Sequence, residues 1–252
     1  MKKYVFITGA SSGFGEACAH IFAKNGFSLV LVARRSDKLE QLKVSLQNDT
    51  VNIHCLELDI RNEKEVFQSI NSLPEIIKNN IHILINNAGL AVGRSSIENA
   101  VTDDWERMID TNIKGLLYVS KAIIPFLKFH KFSQIVNISS IAGKEVYPGG
   151  NVYCATKHAV EALSKALRMD LVSDGIKVTN IAPGAADTEF SLVRFKGDVK
   201  TANSVYDGFE ALLANDVAEA IWFVTSRPAH VTINDLTIMP TAQASASILH
   251  KK

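Results

Sequence analysis

The fold is constrained most by the regular alternation of short apolar runs with amphipathic stretches along most of the chain. Runs with strand character occur at residues 5–7, 28–32, 52–58, 81–85, 134–138, 176–181 and 236–239. Patterns with helical periodicity lie between them, at 16–25, 37–47, 63–73, 103–129, 151–173 and 216–226. Strands alternating with helices form βαβ units, whose strands are parallel. The sequence therefore predicts one α/β domain over residues 1–252, with a doubly wound parallel sheet of about seven strands and helices on both faces.

A glycine-rich turn joins the first predicted strand to the first predicted helix. It reads Thr8-Gly9-Ala10-Ser11-Ser12-Gly13-Phe14-Gly15. Glycines at such a turn let the backbone approach a pyrophosphate, whose charge is stabilised by the helix N-terminus. The spacing is Gly-x-x-x-Gly-x-Gly, not the commoner Gly-x-Gly-x-x-Gly, and turns also use glycine for other reasons. The flanking strand and helix nevertheless favour a dinucleotide-binding turn in a Rossmann-type fold.

The end of the second predicted strand indicates which dinucleotide would bind. NAD sites normally place an acidic residue there to hold the ribose 2′-hydroxyl. This chain has Arg34 and Arg35 instead, and no acid before Asp37. Arginine can bind a 2′-phosphate through paired charged hydrogen bonds, whereas an acid would repel it. The residues favour NADP(H), the alternative being two surface arginines at a helix start.

Tyr153 and Lys157 are the main candidates for acid–base chemistry. Residues four apart on a helix share one face. An ammonium near a phenol favours the phenolate and lowers its pKa from about 10. The pair could therefore exchange a proton near neutral pH, although an isolated Tyr-x-x-x-Lys can equally be a solvated lysine beside a packed tyrosine. Further candidate residues follow the predicted strand ends, which meet at one rim of a parallel sheet: Asp59, Asn86 to Gly89, Ser139, Ser140, Pro183 and Gly184.

Composition and termini exclude several other classes of protein. The 252 residues carry a net charge of +1, which gives no reason to expect a nucleic-acid partner. No apolar run approaches the roughly 20 residues of a membrane span. Met1 leads almost directly into the first strand, so we expect no signal peptide. Three cysteines without metal-ligand spacing suggest a reducing cytoplasm and no metal site.

Taken together, these motifs resemble the short-chain dehydrogenase/reductase family over nearly the whole chain. Ser140, Tyr153 and Lys157 match its catalytic triad, and Asn112 the asparagine that completes a tetrad. Ser140 is chosen over Ser139 because it lies thirteen residues before the tyrosine. The resemblance implies that Tyr153 exchanges the proton, Ser140 orients the substrate oxygen, Lys157 lowers the tyrosine pKa and binds the nicotinamide ribose, and Asn112 steadies a water.

The resemblance also implies a set of residues that bind NADP(H). Asp59 and Ile60 would border the adenine, and Asn86 the adjoining ribose. The loop after Pro183 is one residue shorter than the family pattern, which leaves the nicotinamide contacts there open. The full set is Thr8, Gly9, Ser11, Ser12, Gly13, Phe14, Gly15, Arg34, Arg35, Asp59, Ile60, Asn86, Ala88, Gly89, Tyr153, Lys157, Pro183, Gly184 and Thr188.

A narrower resemblance, in segments 104–110, 149–153, 188–198 and 228–234, is to the NADP-dependent 3-hydroxy acid dehydrogenases of this family. Its members oxidise serine, allo-threonine and related acids, or reduce malonic semialdehyde. Residues 184–214 lack clear periodicity, which suggests a substrate loop. Besides Ser140 and Tyr153, its Arg194 or Lys196 could contact a substrate carboxylate, and we expect Arg194 to contribute more.

The sequence leaves two other functions possible, and the assembly state is inferred only from the resemblance. One alternative is an NADPH-dependent reductase of a bulkier uncharged ketone, and the other is a non-catalytic NADP-binding sensor. Fold alone does not decide between them, although a sensor would have no need of all three triad residues. The resemblance also implies a homotetramer that takes a small-molecule substrate, with subunit contacts through the helices predicted at 103–129 and 151–173.

Overall fold

A computed structural model describes residues 2–46 and 51–252, and its core is one parallel sheet. The strands are β1 Tyr4–Thr8, β2 Ser28–Ala33, β3 Ile53–Glu57, β4 Ile81–Asn86, β5 Ser133–Ile138, β6 Ile176–Pro183, β7 Ala186–Asp187, β8 Leu212–Leu213 and β9 Asp235–Ile238. Seven of them form the sheet in the order β3-β2-β1-β4-β5-β6-β9, and every pairing is parallel. The order reverses direction at β1 and β4, as expected for a doubly wound Rossmann fold. All seven predicted strands are confirmed.

Helices cover both faces of the sheet. They are α1 Gly13–Lys24, α2 Ser36–Leu46, α3 Glu63–Asn71, α4 Glu75–Lys78, α5 Thr102–Ile109, α6 Leu116–Leu127, α7 Asn151–Leu171, α8 Glu189–Arg194, α9 Val199–Ser204 and α10 Ala214–Thr225. Phe22, Leu39 and Ile221 pack on one face, and Val66 and Ile123 on the other. Every residue of β1 and β2 is buried, because both faces of the sheet are covered. No helix in the described part of the chain is long and apolar enough to span a membrane.

The helix predicted over 103–129 is confirmed and runs without a break from 102 to 127, but it is not α-helical throughout. A π-helical segment, Asp110–Gly115, separates α5 from α6. Inside it, Asn112 donates to the Leu90 carbonyl and accepts from the Leu90 amide, each at 2.9 Å. These bonds tie the wide turn to the loop after β4, a constraint that helical periodicity does not encode. π-helical turns of this kind often occur at functional sites.

The segment 184–214 is more ordered than its sequence pattern indicates. It contains the short strands β7 and β8, which pair with each other, and the helices α8 and α9. Two-residue strands and six-residue helices are too short to produce a recognisable period. The predicted helix at 37–47 corresponds to α2, and its last residue, Gln47, lies outside the described residues.

A close approach between α1 and the glycine turn gives a test of this architecture. A Cβ added at Gly15 would meet the Gly9 carbonyl oxygen and, at 2.6 Å, Asn87 Nδ2. Overpacking at such a contact costs about 1–3 kcal/mol. We therefore expect Gly15→Ala to lower the free energy of unfolding in urea by that amount. An unchanged value would mean that α1 and the turn are not held as closely as described.

Candidate active site

A single large cleft of about 1170 Å³ lies beyond the carboxyl ends of the parallel strands. It is the place where open α/β sheets bind ligands. The predicted residues that line it are Gly9, Ser11, Ser12, Gly13, Phe14, Arg34, Arg35, Asp59, Ile60, Ala88, Gly89, Ser140, Tyr153, Lys157, Pro183, Gly184, Thr188 and Arg194. Five predicted residues are not part of the lining: Thr8, Gly15, Asn86, Asn112 and Lys196.

The glycine turn has the backbone of an anion-binding loop. Gly9 has a φ of 65°, in the left-handed region that glycine adopts without steric cost. Thr8 supports this turn from beneath: its hydroxyl accepts hydrogen bonds from the amides of Asn87 and Ala88, each at 3.0 Å. Thr8 therefore joins the turn after β1 to the loop after β4. Its predicted contact with the cofactor stays a prediction.

The two arginines after β2 differ in their surroundings. Arg35 donates to the Ser12 hydroxyl at 2.9 Å and forms an ion pair with Glu189 at 2.9 Å. It also donates to the hydroxyl and carbonyl oxygens of Ser11. Within residues 2–46 and 51–252, Arg34 has neither a hydrogen bond nor an ion pair, and it is exposed at the cleft. At the end of the cleft that would receive a 2′-phosphate, the guanidinium of Arg35 is therefore engaged and that of Arg34 is available.

Asp59 and Asn86 occupy different environments at the next two strand ends. Burial raises the pKa of the Asp59 carboxyl, but hydrogen bonds from Arg61 outweigh it and keep the pKa below its ordinary value. Asp59 is thus ionised at the cleft. The Asn86 amide is buried and donates to Ser120 and Asn137, each at 2.9 Å. The side chain of Asn86 belongs to the core, and its predicted contact with a ribose stays a prediction.

Tyr153 and Ser140 lie together in the middle of the cleft wall. Tyr153 is only 8% exposed. Burial raises the pKa of its phenol above the ordinary value and Tyr147 adds to the rise, whereas Ser140 and Arg194 oppose it. The lowered pKa expected from the sequence is therefore wrong for this structure. The physical reason is desolvation, which disfavours the phenolate more than the neighbouring groups stabilise it.

Lys157 is buried between α7 and β5. Its ammonium donates to the Ile138 carbonyl at 2.8 Å and lies 5.9 Å from the centre of the Tyr153 ring. Burial lowers the pKa of Lys157 to about 8, and the charge of Glu161 opposes the shift. Asn112, on the neighbouring π-helical segment, donates to Thr156 of α7 at 3.0 Å. Both Oδ1 and Nδ2 of Asn112 are thus used in positioning the loop after β4 against α7.

Arg194 and Lys196 have opposite environments. The Arg194 guanidinium lies 5.6 Å from the Tyr153 ring centre and 5.4 Å from that of Tyr147. Its Nε and one Nη are buried and have no hydrogen-bond partner among the described residues. Lys196 forms an ion pair of 2.8 Å with Asp104, whose side chain is 8% exposed. The structure thus leaves two buried donors of Arg194 available beside the tyrosine. The neighbouring lysine is engaged elsewhere.

Several residues of the site have no sequence signal that could have found them. Tyr147 packs between Arg194 and Arg94, and Phe190 contacts the Tyr153 ring with 5.7 Å between ring centres. From the C-terminal segment, Gln243 accepts a hydrogen bond from the Ala185 amide at 2.7 Å. These residues reach the cleft from distant parts of the chain. Only tertiary structure brings them together.

Known proteins identify the class to which this fold and site belong. A family model described as short chain dehydrogenase matches residues 3–197. The chain belongs to the short-chain dehydrogenase family and is an oxidoreductase, which confirms the resemblance inferred from the sequence.

Individual relatives narrow the comparison. The chain is 46% identical over 245 residues to a sulfoacetaldehyde reductase of Chromohalobacter salexigens, covering 97% of this chain and 96% of the relative. It is 44% identical to the NADP-dependent 3-hydroxy acid dehydrogenase YdfG of Escherichia coli, with 97% of each chain covered. A solved structure of serine dehydrogenase in a closed form with NADP+ superimposes with a TM-score of 0.91 at 43% identity, over 99% of this chain and 100% of that one. The resemblance to 3-hydroxy acid dehydrogenases is confirmed, and that to sulfoacetaldehyde reductases is an addition.

The buried ammonium of Lys157 predicts a specific pH dependence of stability. Its pKa is about 8 in the folded protein and 10.5 ordinarily, so between these values the unfolded chain binds more protons. The free energy of unfolding should therefore rise with pH across this window, by about 3 kcal/mol from this one group. Urea unfolding of the native protein and of Lys157→Met should show that the native protein gains stability relative to the variant as the pH rises from 8 to 10.5.

The matched control is Lys165→Met, which removes an exposed lysine from the same helix. Its stability relative to the native protein should stay constant across the window. An equally constant difference for Lys157→Met would contradict the burial of a titrating ammonium.

Proposed function

We propose that this protein is an NADP(H)-dependent oxidoreductase of small anionic hydroxy acids and the matching aldehydes. Its substrates would be of the type of serine, allo-threonine, 3-hydroxypropionate and malonic semialdehyde, or their sulfonate counterparts such as sulfoacetaldehyde. The names of the relatives support this class. The observation that carries the proposal is Arg194, which lies over the tyrosine of the triad and has two buried guanidinium nitrogens without a hydrogen-bond acceptor among the described residues.

The residues at the cleft fit NADP(H). The glycine turn offers a backbone with the left-handed conformation and close approach that a pyrophosphate requires. Arg34 is available to a 2′-phosphate, and ionised Asp59 lines the cleft where a hydroxyl-bearing ribose or adenine would lie. Lys157 would reach the nicotinamide ribose. When bound, NADP(H) supplies or accepts the hydride.

The chain's own residues handle the proton and the orientation of the substrate. Tyr153 would donate the proton from Oη to the carbonyl oxygen during reduction and receive it during oxidation. Ser140 would hydrogen-bond the same oxygen. Because burial raises the pKa of Tyr153, the phenol is protonated near neutral pH. Lys157, with a pKa of about 8, keeps a positive charge close to the tyrosine that favours the phenolate when it forms.

The positive charge of Arg194, unpaired among the described residues, favours an anionic substrate over a bulky neutral one. Two buried guanidinium nitrogens without acceptors are costly, and an oxyanion of the substrate would satisfy them. Carboxylate and sulfonate both offer oxygens for two parallel N–H bonds. Lys196 has no such vacancy, since Asp104 already neutralises it. This supports the expectation that Arg194 contributes more than Lys196 to substrate binding.

The first experiment compares Arg194→Gln with Lys196→Gln. NADP+ reduction would be followed with serine, 3-hydroxypropionate and 2-hydroxyethanesulfonate, and with an uncharged alcohol of similar size. We expect kcat/KM for the anionic substrates to fall about ten- to a hundred-fold in Arg194→Gln, as for loss of a charged hydrogen bond. Lys196→Gln should lose much less, and the uncharged alcohol should be unaffected by either.

Tyr153→Phe serves as the control for chemistry and should abolish turnover with every substrate. Activity on uncharged ketones alone would support the rival reductase. Tight NADPH binding without turnover on any substrate would support the sensor. An anionic kcat/KM that is unchanged in Arg194→Gln would show that the proposed substrate site is wrong.

We further propose that the protein is a cytoplasmic homotetramer. The three cysteines are free, which supports a reducing compartment. The exposed surfaces of α6 and α7 carry Leu117 and Met169, and Val172 follows α7. Apolar residues of this size at an exposed helix surface support a self-complementary interface.

Light scattering of the purified protein should give the mass of four chains. Met169→Lys should lower that mass, because a charge would be buried at the interface. Val44→Lys is the matched control, since Val44 is 72% and Met169 75% exposed. A monomer in the native protein would contradict the proposal.

A further inference from the structure

One short helix connects the two ends of the cleft. Glu189 is the first residue of α8 and Arg194 the last. The Glu189 carboxylate lies 2.9 Å from Arg35 Nη2, beside the glycine turn. The Arg194 guanidinium lies over the ring of Tyr153. α8 therefore contacts both the cofactor end and the substrate end of the site.

Both ends of α8 are held by specific contacts. The Arg194 carbonyl accepts a hydrogen bond from the Gly93 amide at 2.9 Å, and Lys196 is bound to Asp104 just beyond the helix. At the other end the Thr188 hydroxyl accepts a hydrogen bond from the Phe190 amide at 3.3 Å, and Glu189 makes the ion pair with Arg35. Burial raises the pKa of Glu189, but hydrogen bonds from Arg35 and Ser12 keep it below its ordinary value. The carboxylate is therefore charged at neutral pH.

Arg35 is the only residue that joins α8 to the glycine turn through an ion pair among the described residues. Its Nη2 contacts the hydroxyls of Ser11 and Ser12 as well as Glu189. A guanidinium that already faces a carboxylate attracts a second anion less strongly, because the two anions repel each other. The side chains of Arg35 and Glu189 are 43% and 50% exposed, so this effect is screened and moderate in size.

We propose that Glu189 shares Arg35 with the 2′-phosphate of NADP(H), and so couples the strength of cofactor binding to the placement of Arg194 over the substrate. The proposal rests on the NADP(H) dependence proposed above. Glu189 is a positioning residue: it weakens the attraction of the turn for the 2′-phosphate and holds α8 in place. The two effects have opposite signs when its charge is removed.

The opposite signs distinguish this role from a merely structural one. Glu189→Gln keeps the size of the side chain but removes its charge. The potential at Arg35 becomes more positive, so NADPH should bind more tightly. The ion pair that holds the start of α8 is lost, so Arg194 is held less firmly and KM for an anionic substrate should rise. A substitution that only loosened the fold would weaken both.

The experiment measures dissociation constants without substrate, from the fluorescence of NADPH and of NADH. In Glu189→Gln we expect the NADPH constant to fall up to about five-fold, as for one exposed ion pair. The NADH constant should change little, because NADH lacks the 2′-phosphate. KM for 3-hydroxypropionate should rise and kcat stay nearly constant. Glu210→Gln, with the same charge change at an exposed residue of the same segment, should alter none of these.

The outcomes separate this inference from the proposed function. If the native protein does not prefer NADPH to NADH, the proposed cofactor is wrong. If the native protein prefers NADPH but Glu189→Gln binds NADPH equally or less well, the role of Glu189 is wrong and the proposed function stands. A parallel gain in NADH affinity would also overturn the inference, since the effect would not depend on the 2′-phosphate.

Discussion

The burial of the Lys157 ammonium is the constraint on which the arrangement of the site depends. A charged amine removed from water needs compensating hydrogen bonds, and the carbonyl of Ile138 at the end of β5 supplies one at 2.8 Å. This contact fixes the long helix α7 against the end of the central sheet. It therefore fixes Tyr153, one turn earlier, relative to Ser140, which follows β5. The loop after β4 is tied to the same region through Asn112.

The sequence was sufficient to predict the sheet and the location of the site. Apolar runs such as those of β1 and β2 are strong signals because a parallel sheet buries both faces of its strands. Strand ends lie at one edge by topology alone, so Gly9, Arg34 and Ser140 could be placed together before any coordinates. The pKa of Tyr153 could not be predicted in this way. A four-residue spacing reveals the neighbouring ammonium, but the desolvation that raises the pKa depends on how the whole cleft closes.

The residues at the substrate end of the cleft were much harder to predict from the sequence. Arg194 and Lys196 are two residues apart on one irregular segment, and nothing in their spacing shows that Asp104 neutralises only the lysine. Tyr147 and Glu189 likewise gain their roles from residues distant in the chain. The short helices and strands of 184–214 arise from these tertiary contacts and not from local periodicity. Residues at the rim of the sheet can therefore be predicted from topology. The roles of residues at the substrate end can be read only from the structure.

The π-helical segment 110–115 has a further consequence for how this chain can vary. Met108 before it belongs to the same apolar cluster as Tyr153, whereas Val119 and Ile123 after it cluster with Phe6 of β1 on one face of the sheet. α5 and α6 thus present their apolar sides to two different cores, because the π-helical segment rotates α6 about the helix axis relative to α5. Each α-helical residue advances the face by about 100°. Losing a single residue from the segment would turn all of α6 away from its core, so the segment's length is constrained more tightly than its composition.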